Sequence, residues 1–134
     1  MSSWGITNFE NDVALDYVAE LVLSHDQLQL SSEIDQFNAT FNSEETSLDE
    51  CLLFLTKMEL LAGLIGSPSV DMPLELKDWI EGKYIKVEQK VLKNAVQGVQ
   101  KVLTDSEAKE MYLDSGYFNA WMRAQKDLVK RLSA

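Results

Sequence analysis

The carboxylates are the residues with the most chemical potential in this sequence. Asp12 and Asp16 stand four apart in a candidate helix, so their side chains are neighbours, and Glu20 extends the row. Glu44, Glu45, Asp49 and Glu50 cluster before and within the start of a later helix, and Glu59 lies inside the apolar run Leu55 to Leu64. Carboxylates on adjacent helices can hold a divalent cation, but that chemistry pairs a Glu with a His three residues on. The one histidine, His25, has Val22 at that place. Glu75-x-x-Asp78 and Glu107-x-x-Glu110 fall on segments expected at the surface, and no calcium loop of spaced acids around a glycine occurs. No metal ligand set and no cofactor are therefore assigned. A ligand or cation pocket built from Asp12, Asp16 and Glu59 is the alternative reading, and it requires those three side chains to converge.

The nucleophile candidates are few. Cys51 falls in the first turn of the central helix, where the helix dipole lowers a thiol pKa, but four nearby carboxylates oppose that effect. A small buried hydrophobe is the simpler role. There is no glycine-rich phosphate loop and no Gly-x-Ser-x-Gly turn. No catalytic residue is assigned, and a non-enzymatic chain is expected. Trp4, Phe9, Trp79 and Trp121 read as core anchors. Tyr112 and Tyr117 flank a helix end and are expected to be partly exposed, where an aromatic can serve as an interface hot spot.

The elements that must position these residues are helical. The chain has 134 residues, 6 Gly and 2 Pro, and reads as one domain over 1–134. Asn11 or Asp12 can cap a first helix running to about Ser24, with Leu15, Val18, Leu21 and Val22 on its buried side. A second helix spans Gln27 to Phe41, with Leu30, Ile34, Phe37 and Phe41 in one stripe. Ser47 and Glu50 form a capping box that opens the most apolar segment, Leu48 to Ile65, expected at the centre of the fold. Gly66-Ser67-Pro68 ends it. Pro73 suits the first turn of a short helix through Ile80. A helix from Tyr84 to Leu103 follows, with Gly98 inside its apolar stripe. That glycine marks either a close neighbour or a weak point. Thr104 to Glu107 reads as a second capping box, for a helix ending near Gly116. The last helix carries Phe118, Trp121, Met122, Gln125, Leu128, Val129 and Leu132 at 3/4 spacing. No strand alternation persists, so the expected fold is an all-α, compact bundle of six or seven helices with short loops.

Charge is distributed unevenly. Residues 1–71 carry 13 acids and 1 base, Lys57, a net of −12, whereas residues 72–134 carry 9 acids and 11 bases, a net of +2. The total of −10 argues against binding nucleic acid through phosphate neutralisation and against an electrostatic membrane anchor. The acidic half suits docking of a basic protein partner; a solvated surface that keeps the chain soluble is the competing reading. One cysteine fits a reducing compartment. The opening Met1 to Gly5 has no basic or apolar signal segment, so a cytoplasmic location is expected.

The opening Trp4-Gly5-x-x-x-Phe9-x-Asn11-Asp12-x-Ala14-x-Asp16 resembles that of a bacterial family known only as domain of unknown function 4259. Glu59 in the apolar helix, Gly66-Ser67-Pro68, Pro73-x-x-Leu76-x-x-Trp79 and the closing helix around Trp121 are similar to the same family. The resemblance covers nearly the whole chain and implies its fold and limits, without naming an activity. The chain departs from the family at Thr7, often a glycine there, and at Val13, often an acid. Lack of the glycine argues against a tight turn, and lack of the acid against a metal site. The motif also has a physical reading: Trp4 and Phe9 pin an arm onto the bundle, Gly5 allows a sharp turn, and Asp16 accepts bonds from the arm.

Two functions are carried forward. The first is a small protein-binding module that uses Glu44, Glu45, Asp49 and Glu50, in a specific form an immunity or antitoxin protein neutralising a basic effector. The second is the carboxylate pocket. Any self-contact is expected to use residues 72–134, because the acidic half repels itself.

Overall fold

The longest apolar segment organises the chain, as the computed structural model shows. Residues 5–23 and 29–133 are described. Among them are seven helices and no strand: α1 (Asp12–Leu23), α2 (Leu30–Thr40), α3 (Leu48–Leu64), α4 (Leu74–Ile80), α5 (Gln89–Thr104), α6 (Glu107–Ser115) and α7 (Phe118–Ser133). The fold is an all-α helical bundle. Helix α3 packs against each of the other six. Twelve of its 17 residues are buried, which is the signature of a helix surrounded on all sides rather than half-wetted. Its start is fixed by the capping box: the Ser47 hydroxyl accepts from Glu50 N–H at 3.1 Å and the Glu50 carboxylate from Ser47 N–H at 3.3 Å. Its end is fixed by Gly66, whose φ of 98° only glycine adopts without strain.

Local chemistry decides several boundaries that spacing left open or placed elsewhere. Asn11, not Asp12, caps α1, its side-chain oxygen accepting from Ala14 N–H at 2.8 Å. The buried side of α1 is Ala14, Val18 and Leu21; Leu15 is 49% exposed, contrary to the expected stripe. Helix α2 begins at Leu30; the expected start at Gln27 and the end of the first helix at Ser24 lie outside the described residues. Helix α5 begins at Gln89, not Tyr84. Gly82 turns the chain with a φ of 82°, and Ile85 N–H then bonds the Leu64 carbonyl at 2.9 Å. Residues 83–88 are thus held as a connector along α3. The second capping box is not formed. Thr104 is the last residue of α5, its hydroxyl donating to Gln100 O, and Ser106 caps α6 by accepting from Lys109 N–H at 3.0 Å.

Gly98 resolves as a close approach. A β-carbon there would lie 2.4 Å from the Phe54 ring, so α5 and α3 meet only because that carbon is missing. The Phe37 ring stacks on Phe54, 3.8 Å between centroids. Trp121 is fully buried and stacks on Tyr112 at 5.0 Å. Tyr112 is itself buried, contrary to expectation, because its ring fills the space between α6 and α7; Tyr117 is 59% exposed.

Candidate functional site

The arm that precedes α1 is built around one amide side chain. Gly5 N–H bonds the Glu10 carbonyl at 2.8 Å, and Glu10 N–H bonds the Thr7 carbonyl at 3.2 Å, closing a tight turn. The turn forms without the family's glycine, since no non-glycine residue here has a positive φ. Gly5 is required for a different reason: a β-carbon would lie within 2.5 Å of the Glu10 side chain. The Tyr112 hydroxyl donates to the Gly5 carbonyl at 2.8 Å, and Phe9 is buried in the core. Asn8, presented by the turn, points inward and is buried.

Asn8 meets three buried side chains from the bundle. Its Nδ2 donates to Glu59 Oε2 at 2.8 Å and to Gln125 Oε1 at 2.9 Å, and Gln125 Nε2 returns a bond to Asn8 Oδ1 at 2.7 Å. Thr56 Oγ1 donates to the Asn8 carbonyl at 3.4 Å. Glu59 is only 3% exposed. Arg131 reaches it from α7 as a fork, Nη1 to Oε1 at 2.8 Å and Nη2 to Oε2 at 3.2 Å. The same guanidinium holds Asp127 at 2.8 Å and the Ser67 carbonyl at 3.3 Å. Burial raises the Glu59 pKa above the ordinary carboxylate value, and the bonds from Arg131 and Asn8 oppose that rise. Burial weakens the Arg131 cation, but its Glu59 and Asp127 bonds more than restore it. Both Glu59 oxygens are thereby engaged. The cluster can clamp α3, α7 and the arm together, and it leaves no open carboxylate oxygen for a substrate.

The other expected site residues lie elsewhere. Asp12 and Asp16 are exposed on α1 while Glu59 is buried, so the three do not join in one bonded cluster. Asn11 spends its side chain on the α1 cap. Trp4 and His25 lie outside the described residues. Glu44, Glu45, Asp49 and Glu50 are all exposed. The backbone of Glu44 and Glu45 is tied to Asn42 Oδ1, which fixes the loop that displays them. Among the described residues no three His, Cys, Asp or Glu side chains gather closely enough to hold a metal ion. Cys51 is buried, and burial first of all pushes its thiol from 9.0 up to about 11, with bonds from Ala108 and Ser106 opposing the rise. No helix among the described residues is long and apolar enough to cross a membrane.

Spacing did not reveal Asn8, Gln125 or Arg131. The signal for Gln125 was nonetheless present, as the one amide in the apolar stripe of the last helix. Such a residue in a buried stripe demands a partner.

No curated protein and no solved structure matches this chain. A family model does match, over residues 2–124, which takes in the Gly5 turn, the α1 cap and Glu59 and ends one residue before Gln125. The chain belongs to the family described as Domain of unknown function (DUF4259).

Proposed function

We propose that this chain is a non-enzymatic binding module that docks a basic protein partner on the acidic surface of residues 1–71. One observation carries the reading. Lys57, the only base in that half of the sequence, is already spent on Glu33 at 3.3 Å, while Glu44, Glu45, Asp49 and Glu50 face solvent. Among the described residues these four carboxylates enter no ion pair, and an acidic face of this kind steers a complementary partner. Size and charge together favour an immunity- or antitoxin-like role, in which the chain neutralises a basic effector inside the cell. The carboxylate pocket is less well supported, because Arg131 and Asn8 occupy Glu59 and the α1 acids are exposed.

The test is an affinity pull-down of the full chain from native lysate at low and at high salt, read by mass spectrometry. A stoichiometric basic partner is expected at low salt and lost at high salt. The variant E44K/E45K/D49K with Glu50→Gln, which keeps the capping box, is expected to lose that partner with an unchanged circular dichroism spectrum. Retained binding would sink the proposal.

A further inference from the structure

Helices α2 and α3 line a surface trough of about 440 Å³. One face of α2 (Glu33, Phe37, Thr40) and one face of α3 (Glu50, Leu53, Lys57) form its walls. Its floor is the stacked pair Phe37 and Phe54. The wall residues recur at 3/4 spacing, so each helix lines the trough with a single face. From Ser32 to Thr40 and from Glu50 to Lys57 it runs about 10–12 Å, at about 1.5 Å per residue. That length accepts about two turns of a further helix.

The charges on the trough name its occupant. Glu33 and Glu50 stand on opposite walls, and the trough's one cation is Lys57. Lys57 bonds Glu33 and lies 5.9 Å from the Tyr17 ring centroid, the position that an incoming cation would take. We infer that the α2–α3 trough receives a basic amphipathic helix of the protein partner, its apolar anchors on Phe37, Leu53 and Phe54 and its arginines or lysines on Glu33 and Glu50. Lys57 occupies the Glu33 position until the partner's cation displaces it. The inference rests on the acidic docking reading above and assigns the place where the partner's anchor sits. Helix-in-groove recognition takes this form: apolar anchors at i, i+3, i+4 and i+7, with charges setting orientation.

The experiment uses the full chain and a fluorescein-labelled helical peptide of about three turns, with leucines at i, i+3, i+4 and i+7 and arginines on its flanks. Affinity is read by anisotropy at low salt, and the contact surface by amide chemical shifts. The expected result is binding with shifts confined to residues 32–40 and 50–57, and none with a peptide of the same leucine pattern flanked by glutamates instead. E33Q/E50Q is expected to weaken binding about tenfold, whereas E44Q/E45Q, with the same change in charge, costs less than about twofold. Lys57→Met is expected to tighten binding about two- to fivefold, the worth of a partly exposed ion pair, while Lys93→Met leaves it unchanged. Absence of binding up to the millimolar range overturns the trough assignment. So does binding whose shifts map to the 42–47 loop and which E44Q/E45Q weakens as much as E33Q/E50Q. In that second case the acidic docking face survives and only its anchor is misplaced.

Discussion

Glu50 and Glu59 stand on the same helix and have opposite fates. Glu59 lies where α3 is surrounded, and the fold engages both of its oxygens with Arg131 and Asn8. Glu50 lies where α3 begins, in solvent, where one oxygen accepts a single backbone bond at 3.3 Å. The two side chains are chemically identical, and position alone decides their use. A carboxylate inside is consumed in holding elements together; a carboxylate outside remains available to a partner. This contrast directs the search for function to the surface of residues 1–71 and away from the interior.

The contrast can be broken most decisively at the buried end. Arg131→Met leaves the Glu59 carboxylate buried without its cation and is expected to cost about 3–5 kcal/mol in urea unfolding. Replacing both partners with Met should return most of that loss, because the desolvation cost of both charges goes with them. A single-variant loss below about 1 kcal/mol would mean that the pair does not hold the interior. Gly98→Ala tests the floor beneath the trough. The new β-carbon collides with Phe54 at 2.4 Å, and overpacking outweighs the gain in helix propensity for a net loss of about 1–2 kcal/mol. Because Phe54 packs against both Gly98 and Phe37, that variant should also weaken peptide binding in the trough.

Smaller effects sharpen the comparison from the surface and from pH. The Cys51 thiol is raised from 9.0 to about 11 in the fold, so the unfolded chain releases its proton first. Its contribution is fully present below pH 9, is lost as pH rises through about 11, and disappears from the pH profile of Cys51→Ala. Alkylation of the thiol near neutral pH is expected to follow the unfolding rate. Smallest of all is E44K/E45K/D49K, whose stability should stay within about 0.5 kcal/mol of the parent, since those side chains are exposed. A larger loss would show that the surface carboxylates, too, are structural.

Periodicity made most of the helical frame legible. The apolar run of α3, its Ser47 cap and the Gly66 and Gly116 stops are local signals, and the structure places them as read. The failures have local causes as well. Ile85 and Val87 continue the α5 stripe in sequence, but a bond to Leu64 ties the chain down before the helix begins. Thr104 and Ser106 both offer a hydroxyl, and only Ser106 lies outside the turn that Thr104 completes. The Asn8 cluster was hidden for another reason. Its members are 51 and 117 residues apart, and pairing over such distances leaves no period in a single sequence. Glu59 stands out in the sequence through its apolar surroundings; its partners carry no such local mark.

That long-range pairing has a consequence for how the molecule is made. A ribosome delivers Glu59 well before Arg131, which follows it by 72 residues. Until α7 is synthesised, the central helix carries an acid that it cannot bury at low cost, and the Asn8 arm has no glutamine to grip. The last helix therefore closes the interior, and a chain interrupted before it keeps an exposed, unsatisfied seam. Quality-control proteases act on such seams, so degradation of interrupted chains follows from the placement of one buried charge.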